Sequence, residues 1–275
     1  KEVDGQRSQW QTPNPVLSDK SVRQALALAV DRQAISENLY FGPPSEPPGR
    51  NVLTGIPQYE SPNTTWEYNI DKANQLLDDA GWVLDGSVRS KDGVELSLTY
   101  ATSVNQIRQQ TQAVVKQGWE RIGAKVQLLE IDASVFFSTA AGNDQTLQHM
   151  YWDAHEYAYS PAGPWPLSYM FRWVSHEGAN IPQASNNWSQ VNEGRYNNPD
   201  YDALYDEAAS TTDPDRAAEL FIAMNDIIID DVVLIPLVQR ASEKYALAKT
   251  LRHDNIAGGP FEALYWNIAN WNRTS

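Results

Sequence analysis

The sequence predicts a mixed α/β fold, with helices packed on a sheet that contains a βαβ unit. Three observations carry that prediction. Val94, Leu96 and Leu98 alternate with polar residues, as a half-buried strand does. A helix-length series follows (Ile107, Val114, Val115, Trp119, Ile122), and Val126, Leu128 and Ile131 then give a second strand. A crossover of that length between two strands implies a parallel pair. Further amphipathic helices with recognisable caps stand on both sides of the unit.

In chain order, Lys1 to Pro15 is polar and without apolar periodicity, so residues 1–16 are expected to be a linker or a cut end. Ser18 and Asp19 sit where a helix N-cap belongs, before Val22, Ala25, Leu26, Ala29 and Val30 at helical spacing. Gln33 to Tyr40 adds another turn or two, ended by Gly42-Pro43-Pro44, and a Pro/Gly-rich loop continues to Pro62. Asn69 caps a short helix whose one face is Ala73, Leu76, Leu77 and Ala80, with Gly81 at its stop. In the βαβ unit, Ser103 and Gln106 make a capping-box pattern, and Gly123 ends the helix. A short helix around Ser134 to Ala141 and a strand from Leu147 to Asp153 come next. Residues 175–198 are polar and Asn-rich and read as an exposed loop. Asp200 to Ala209 is a short helix, and Asp213-Pro214 opens a longer one with the N-cap and N1 proline pattern. Val232 to Val238, with Pro236 inside, reads as an extended segment at a sheet edge. Tyr245–Ala248 and Leu264–Ile268 are strand-like.

Composition narrows the function. There are 35 acidic against 21 basic side chains, a formal net charge of −14, which excludes the basic footprint that nucleic acid needs. No apolar run approaches the ~20 residues of a membrane span. Cysteine is absent, so there is no disulfide framework, thiolate nucleophile or thiolate metal site. No G-x-S-x-G elbow, phosphate loop or H-E-x-x-H helix occurs. His149 and His155 are six apart and lack a third ligand at a recognisable spacing, so no metal is expected.

The most unusual stretch is Tyr151 to Trp173, with eight aromatics in 23 residues, where the whole chain is 11% aromatic. Its charged residues are Asp153, Glu156 and Arg172, and Pro161, Gly163, Pro164 and Pro166 interrupt it. This pattern suits a strand running into an irregular loop that carries flat rings, either over a core or facing a ligand. Trp and Tyr offer a large contact area at low entropic cost and keep a polar tip. Sugars and peptides both exploit such surfaces. Asp153 and Glu156 could also serve a carbohydrate-active enzyme, which places two carboxylates about a sugar.

Taken in order, seven segments resemble the C-terminal part of the extracytoplasmic solute-binding proteins of family 5, the oligopeptide- and dipeptide-binding family that feeds ABC importers. They are VRQALALAVDRQAI (Val22 to Ile35), YNIDKANQLLDDAGW (Tyr68 to Trp82), DGVELSLTY (Asp92 to Tyr100), IGAKVQLLEID (Ile122 to Asp132), RYNNPDYDALYDEA (Arg195 to Ala208), DPDRAAELF (Asp213 to Phe221) and VVLIPLVQ (Val232 to Gln239). The second is the most diagnostic. The resemblance implies a periplasmic-binding-protein-like lobe over residues 17–239, and a segment over 240–275 that returns to a first lobe. That first lobe, the family's N-terminal portion, is missing, so the chain is expected to be a fragment.

It further implies a non-enzymatic receptor outside the cytoplasmic membrane, without a cofactor, that closes two lobes on an oligopeptide and presents it to ABC permease transmembrane subunits. Some members take cello- or manno-oligosaccharides instead, and the 10 Trp make an oligosaccharide the alternative ligand. Peptide-binding members carry an aspartate for the ligand's α-amine a few residues before a proline. Here Tyr157 or Ser160 occupies its place, and Glu156 is the nearest acid. The expected ligand-binding residues are Trp152, Tyr157, Tyr159, Ser160 and Trp165 as wall and orienting groups, Glu156 as charged anchor, and Trp173, Asn186 and Asn187 beyond them.

Overall fold

The computed structural model describes residues 2–3, 6–40, 47–140, 142–239, 248–252 and 267–272. The helix end at Gly42-Pro43-Pro44, most of the two strand-like tail pieces and most of the returning segment 240–275 lie outside them. A short antiparallel ribbon, β1 (Glu2–Val3) with β2 (Gln6–Arg7), opens the chain. Helices α1 (Lys20–Leu28) and α2 (Arg32–Leu39) follow, capped by Asp19 and Asp31, whose carboxylates accept from Ser21 N and Ala34 N. Asn69 caps α3 (Ile70–Asp79) through Lys72 N, and Gly81 leaves the helix at φ +83°, a conformation that favours glycine.

A three-stranded antiparallel sheet of β3 (Val83–Asp85), β4 (Val88–Lys91) and β5 (Val94–Glu95) comes next. The alternation at Val94, Leu96 and Leu98 therefore spans two sheets, because the chain passes from β5 into β6 (Ser97–Ser103). Leu96 joins them, donating to Arg89 O and accepting from Lys125 N, each at 2.8 Å. The predicted βαβ unit is present as β6, α4 (Gln106–Arg121) and β7 (Lys125–Ile131), with β6 and β7 parallel from Ser97↔Lys125 to Ser103↔Ile131. Ser103 is held in that ladder, so the helix starts later than the capping-box pattern suggests. Asn105 is the N-cap and accepts from Arg108 N at 3.2 Å.

Helix α5 is a single turn, Ala133–Phe136, shorter than expected. The strand expected over Leu147 to Asp153 is absent. Residues 146–149 turn, and Met150 takes φ +47°, which an extended chain cannot include. The strand is instead β8 (Ala154–Glu156), parallel to β6, which gives the order β7-β6-β8. Asp153 sets its register: its backbone N–H donates to Thr99 O at 2.9 Å, and its carboxylate accepts from Thr99 N at 2.8 Å.

The aromatic stretch ends in α6 (Leu167–Met170), and α7 (Pro199–Ser210) and α8 (Pro214–Asp230) follow as predicted. The Asn-rich segment 175–198 is not simply an exposed loop. Asn180 donates to Phe171 O and Val174 O, Asn192 donates to Val174 O and Tyr196 O, and both asparagines are buried. Asn serves an irregular buried backbone by supplying the hydrogen bonds that no ladder provides. Val232–Val238 forms no strand; Val232 sits at φ +50°, and Val238 makes one antiparallel bridge to Pro48.

Three apolar clusters hold this arrangement. The first packs α1, α2, α3 and α4 against β6 and β7 through Val22, Leu26, Leu77, Trp82, Leu98 and Trp119. The second joins residues 52–59 to α6, α7 and α8 through Leu53, Met170, Tyr201, Phe221 and Ile228. The third, smaller, sits beneath the aromatic stretch and includes Phe136, Leu147 and Trp152. Each fully buried aliphatic side chain in them contributes about 1.5–3 kcal/mol. Among the described residues no helix is long and apolar enough to cross a membrane.

The segment read as a linker is docked from residue 7 onward. Val16 is in the first cluster, Ser8 Oγ donates to Met150 O at 3.1 Å, Asn14 Nδ2 donates to Asp153 Oδ1 at 2.7 Å, and the Trp10 indole covers Gly178.

Candidate functional site

The carboxyl ends of β6 and β8 open into a groove of about 2390 Å³. Crevices at strand carboxyl ends are where open α/β sheets bind ligands. Six of the expected residues line it: Trp152, Glu156, Tyr157, Tyr159, Ser160 and Trp173. Trp165, Asn186 and Asn187 do not. The Trp165 ring meets Phe221 edge-on at 5.1 Å and belongs to the α8 side of the fold. Asn186 closes a 3-10 turn by accepting from Gln183 N and donating to Ile181 O, and Asn187 ends that turn at φ +52°.

Alternation along β8 sends neighbouring side chains to opposite faces. Glu156 receives the Tyr100 hydroxyl, and Thr102 Oγ1 holds its backbone carbonyl at 3.0 Å. Burial raises the Glu156 carboxyl to about 7, against the lowering effect of Tyr100 and Arg108. Tyr100, fully enclosed, is pushed well above the ordinary phenol value by burial and by Glu156.

His155 is enclosed by Phe136, Trp152 and Tyr157, and its Nδ1 accepts from Trp152 Nε1 at 3.1 Å. Burial and, after it, Arg172 and Arg195 depress it to about 3, so the ring is neutral throughout the neutral range. Trp152 stacks on Phe136 at 5.7 Å and is 7% exposed, so it presents only an edge to the groove.

Tyr157 meets a pair that the sequence reading did not assemble. Arg172 Nη2 donates to both Glu193 oxygens at 2.8 Å and to the Tyr157 hydroxyl, which in turn donates to Glu193 Oε2 at 3.3 Å. Burial pushes Glu193 up and Arg172 opposes it; Arg172 is itself raised by Glu193 and Tyr157 despite burial. The Tyr159 ring lies 4.2 Å from the Arg172 guanidinium and stacks on Tyr169 at 5.3 Å, and Trp173 packs edge-on against Tyr169. Arg172 was visible as one of three charges in the aromatic stretch. Glu193 lies 21 residues further on, and nothing in the sequence links the two.

Arg195, at φ +54°, fills the space beside this pair. Its Nε donates to Ser8 O at 2.8 Å, and its Nη2 to Gln148 O, His149 O and Pro182 O at 3.0–3.2 Å; Nη1 donates to Glu193 O. Among the described residues no group of three or more His, Cys, Asp or Glu is placed to hold a metal ion.

Known proteins resemble the chain in sequence and in fold. It is 25% identical over 232 residues to an oligopeptide-binding protein, OppA, of Mycobacterium tuberculosis, covering 82% of this chain and 36% of that one. It is 34% identical over 137 residues to oligopeptide-binding protein AppA of Bacillus subtilis, covering 46% of this chain and 24% of that one. The chain thus spans about a third or less of the length of these relatives. Among solved structures, AppA from B. subtilis in complex with a nonapeptide superposes with TM-score 0.71 at 22% identity, covering 95% of this chain and 49% of that one. An oligopeptide-binding protein from Thermus thermophilus complexed with a pentapeptide gives 0.69 at 23% identity, covering 82% and 38%. The model of the bacterial extracellular solute-binding proteins, family 5 Middle, matches residues 6–180, and the chain belongs to that family.

Proposed function

We propose that this chain supplies the ligand-capturing lobe of an extracytoplasmic receptor that delivers oligopeptides to an ABC importer. The observation that carries the reading is the groove at the carboxyl ends of β6 and β8, walled by Tyr157, Tyr159 and Trp173 and edged by the polar groups of Glu156, Ser160 and Arg172. Rings give contact with varied side chains, and a few fixed polar groups orient a backbone. Family membership and the peptide complexes of the structural neighbours support the same class of ligand. Closure of a second lobe over the groove would bury the ligand, and the closed form is what a permease would engage. Residues 17–239 are the lobe in this reading, and 240–275 the segment returning to its partner. His155 is committed to Trp152 and stays neutral, so it is poorly suited to act as a base.

The test is a thermal-shift and Trp-fluorescence screen with short peptides and β-linked oligosaccharides. A ligand at 100 times its dissociation constant adds about 2.7 kcal/mol to the native state. Peptides are expected to stabilise without being cleaved. Stabilisation by the sugars alone would replace the peptide with a carbohydrate on the aromatic wall, and turnover of either would remove the receptor reading.

A further inference from the structure

Four acids line the groove among the described residues, and each is already engaged. Asp153 accepts from Asn14 Nδ2 at 2.7 Å and Thr99 N at 2.8 Å. Asp231 takes Lys20 Nζ at 3.1 Å and the Tyr196 hydroxyl. Glu193 takes two contacts from Arg172 Nη2 and one from Tyr157. Glu156 holds the Tyr100 hydroxyl, and burial keeps a proton on it through the lower half of the neutral range. Five arginines line the same groove: Arg7, Arg23, Arg108, Arg172 and Arg195. The surface therefore offers donors rather than free carboxylates.

Arg172 shows which donors. Every hydrogen bond it makes leaves from Nη2, and its Nε and Nη1 have no protein partner among the described residues, although the side chain lines the groove. Both forks by which a guanidinium grips a carboxylate use Nη2, one with Nε and one with Nη1. With Nη2 committed and the charge balanced by Glu193, single N–H donors remain on an approximately neutral pair. The Tyr159 ring at 4.2 Å fixes the guanidinium plane. Single, fixed donors beside a part-exposed tyrosine suit a carbonyl oxygen.

We infer that this aromatic end of the groove recognises a neutral acyl or peptide carbonyl, so that the ligand needs no free ammonium terminus there. The inference rests on the peptide-capture reading and specifies which peptides are taken: N-blocked chains, or chains whose terminus projects past this end.

The experiment compares degenerate pentapeptide pools with free and with acetylated N-termini, titrated against the protein by Trp fluorescence at pH 6 and pH 8. The acetylated pool is expected to bind within about threefold of the free pool or tighter at both pH values. A terminus held by a charge-assisted bond would instead lose about tenfold to a hundredfold on acetylation. Arg172→Lys, which keeps the charge but removes the spare donors, is expected to weaken the acetylated pool at least fivefold. Glu193→Gln keeps an acceptor for Nη2 but removes the charge that balances Arg172, and is expected to bind an N-succinylated pool at least tenfold tighter than the wild type does. This second variant decides the matter if Arg172→Lys does not fold. Free peptides binding tenfold tighter than acetylated ones overturn the inference and leave the receptor reading intact. A protein that binds neither pool overturns both.

Discussion

Glu156→Gln isolates a groove carboxyl whose ionisation the fold resists and that has no arginine bonded to it. In the folded chain its value is raised from 4.5 to about 7, chiefly by burial, so the native state holds a proton that the unfolded chain has released. The sign follows: this group's contribution is fully favourable below pH 4.5 and is lost as pH rises through 7. Glutamine keeps an acceptor for the Tyr100 hydroxyl and cannot ionise. Relative to wild type, the variant is therefore expected to be more stable by about 1 kcal/mol at pH 5, about 2 at pH 6 and about 3 at pH 8. Urea unfolding followed by circular dichroism at each pH measures the difference, and pH effects common to both proteins cancel. A gap that stays constant from pH 5 to pH 8 would show that Glu156 titrates normally, and would remove the argument that burial neutralises it.

Other sites give independent tests. Asn225, fully buried on α8, accepts from Val52 N and Leu53 N at 2.8 and 3.3 Å and donates to Asn51; Asn225→Ala orphans the two backbone N–H groups and is expected to cost about 2–5 kcal/mol in urea unfolding. A Cβ on Gly118 would meet Ala29 O at 2.0 Å, so Gly118→Ala must part α4 from the α1–α2 corner; a fall in Tm of more than about 5 °C is expected. His155 is depressed from 6.5 to about 3, so the stability it contributes is present above pH 6.5 and lost as pH falls through 3. Wild type should therefore lose on the order of 4 kcal/mol more than His155→Phe between pH 7 and pH 3, read by the same unfolding curves.

What the sequence revealed, and what it hid, divides along the range of the forces involved. Caps at Asp19, Asn69 and Asp213 act within three residues, and the β6–α4–β7 unit announces itself by periodicity, so both were legible. The strand placed at Leu147–Asp153 was misread because hydrophobicity there serves a turn: Leu147 belongs to the small core under Phe136, and Met150 is left-handed. The aromatic stretch pointed to the groove, and six of nine named residues line it. Trp165 left the groove because Phe221 and Tyr59, far away in sequence, offered it an apolar seat. The pairing of Arg172 with Glu193 depends on how segment 175–198 folds back, which rests on asparagine side chains bonding to backbone carbonyls. No periodicity encodes that.

Arg195 has a consequence for where such a chain can work. Its guanidinium ties residues 8, 148, 149, 182 and 193 together in space, the topological task that a bridge between cysteines performs in many exported folds. This sequence contains no cysteine. Even lowered to about 10 by burial, the guanidinium keeps its proton at neutral pH, and its bonds to carbonyl oxygens involve no electron transfer. The tie therefore forms as soon as the chain folds, needs no oxidant or isomerase, and holds equally in reducing and oxidising surroundings. A lysine cannot replace it, since one ammonium has three donors and no rigid plane to spread across five carbonyls.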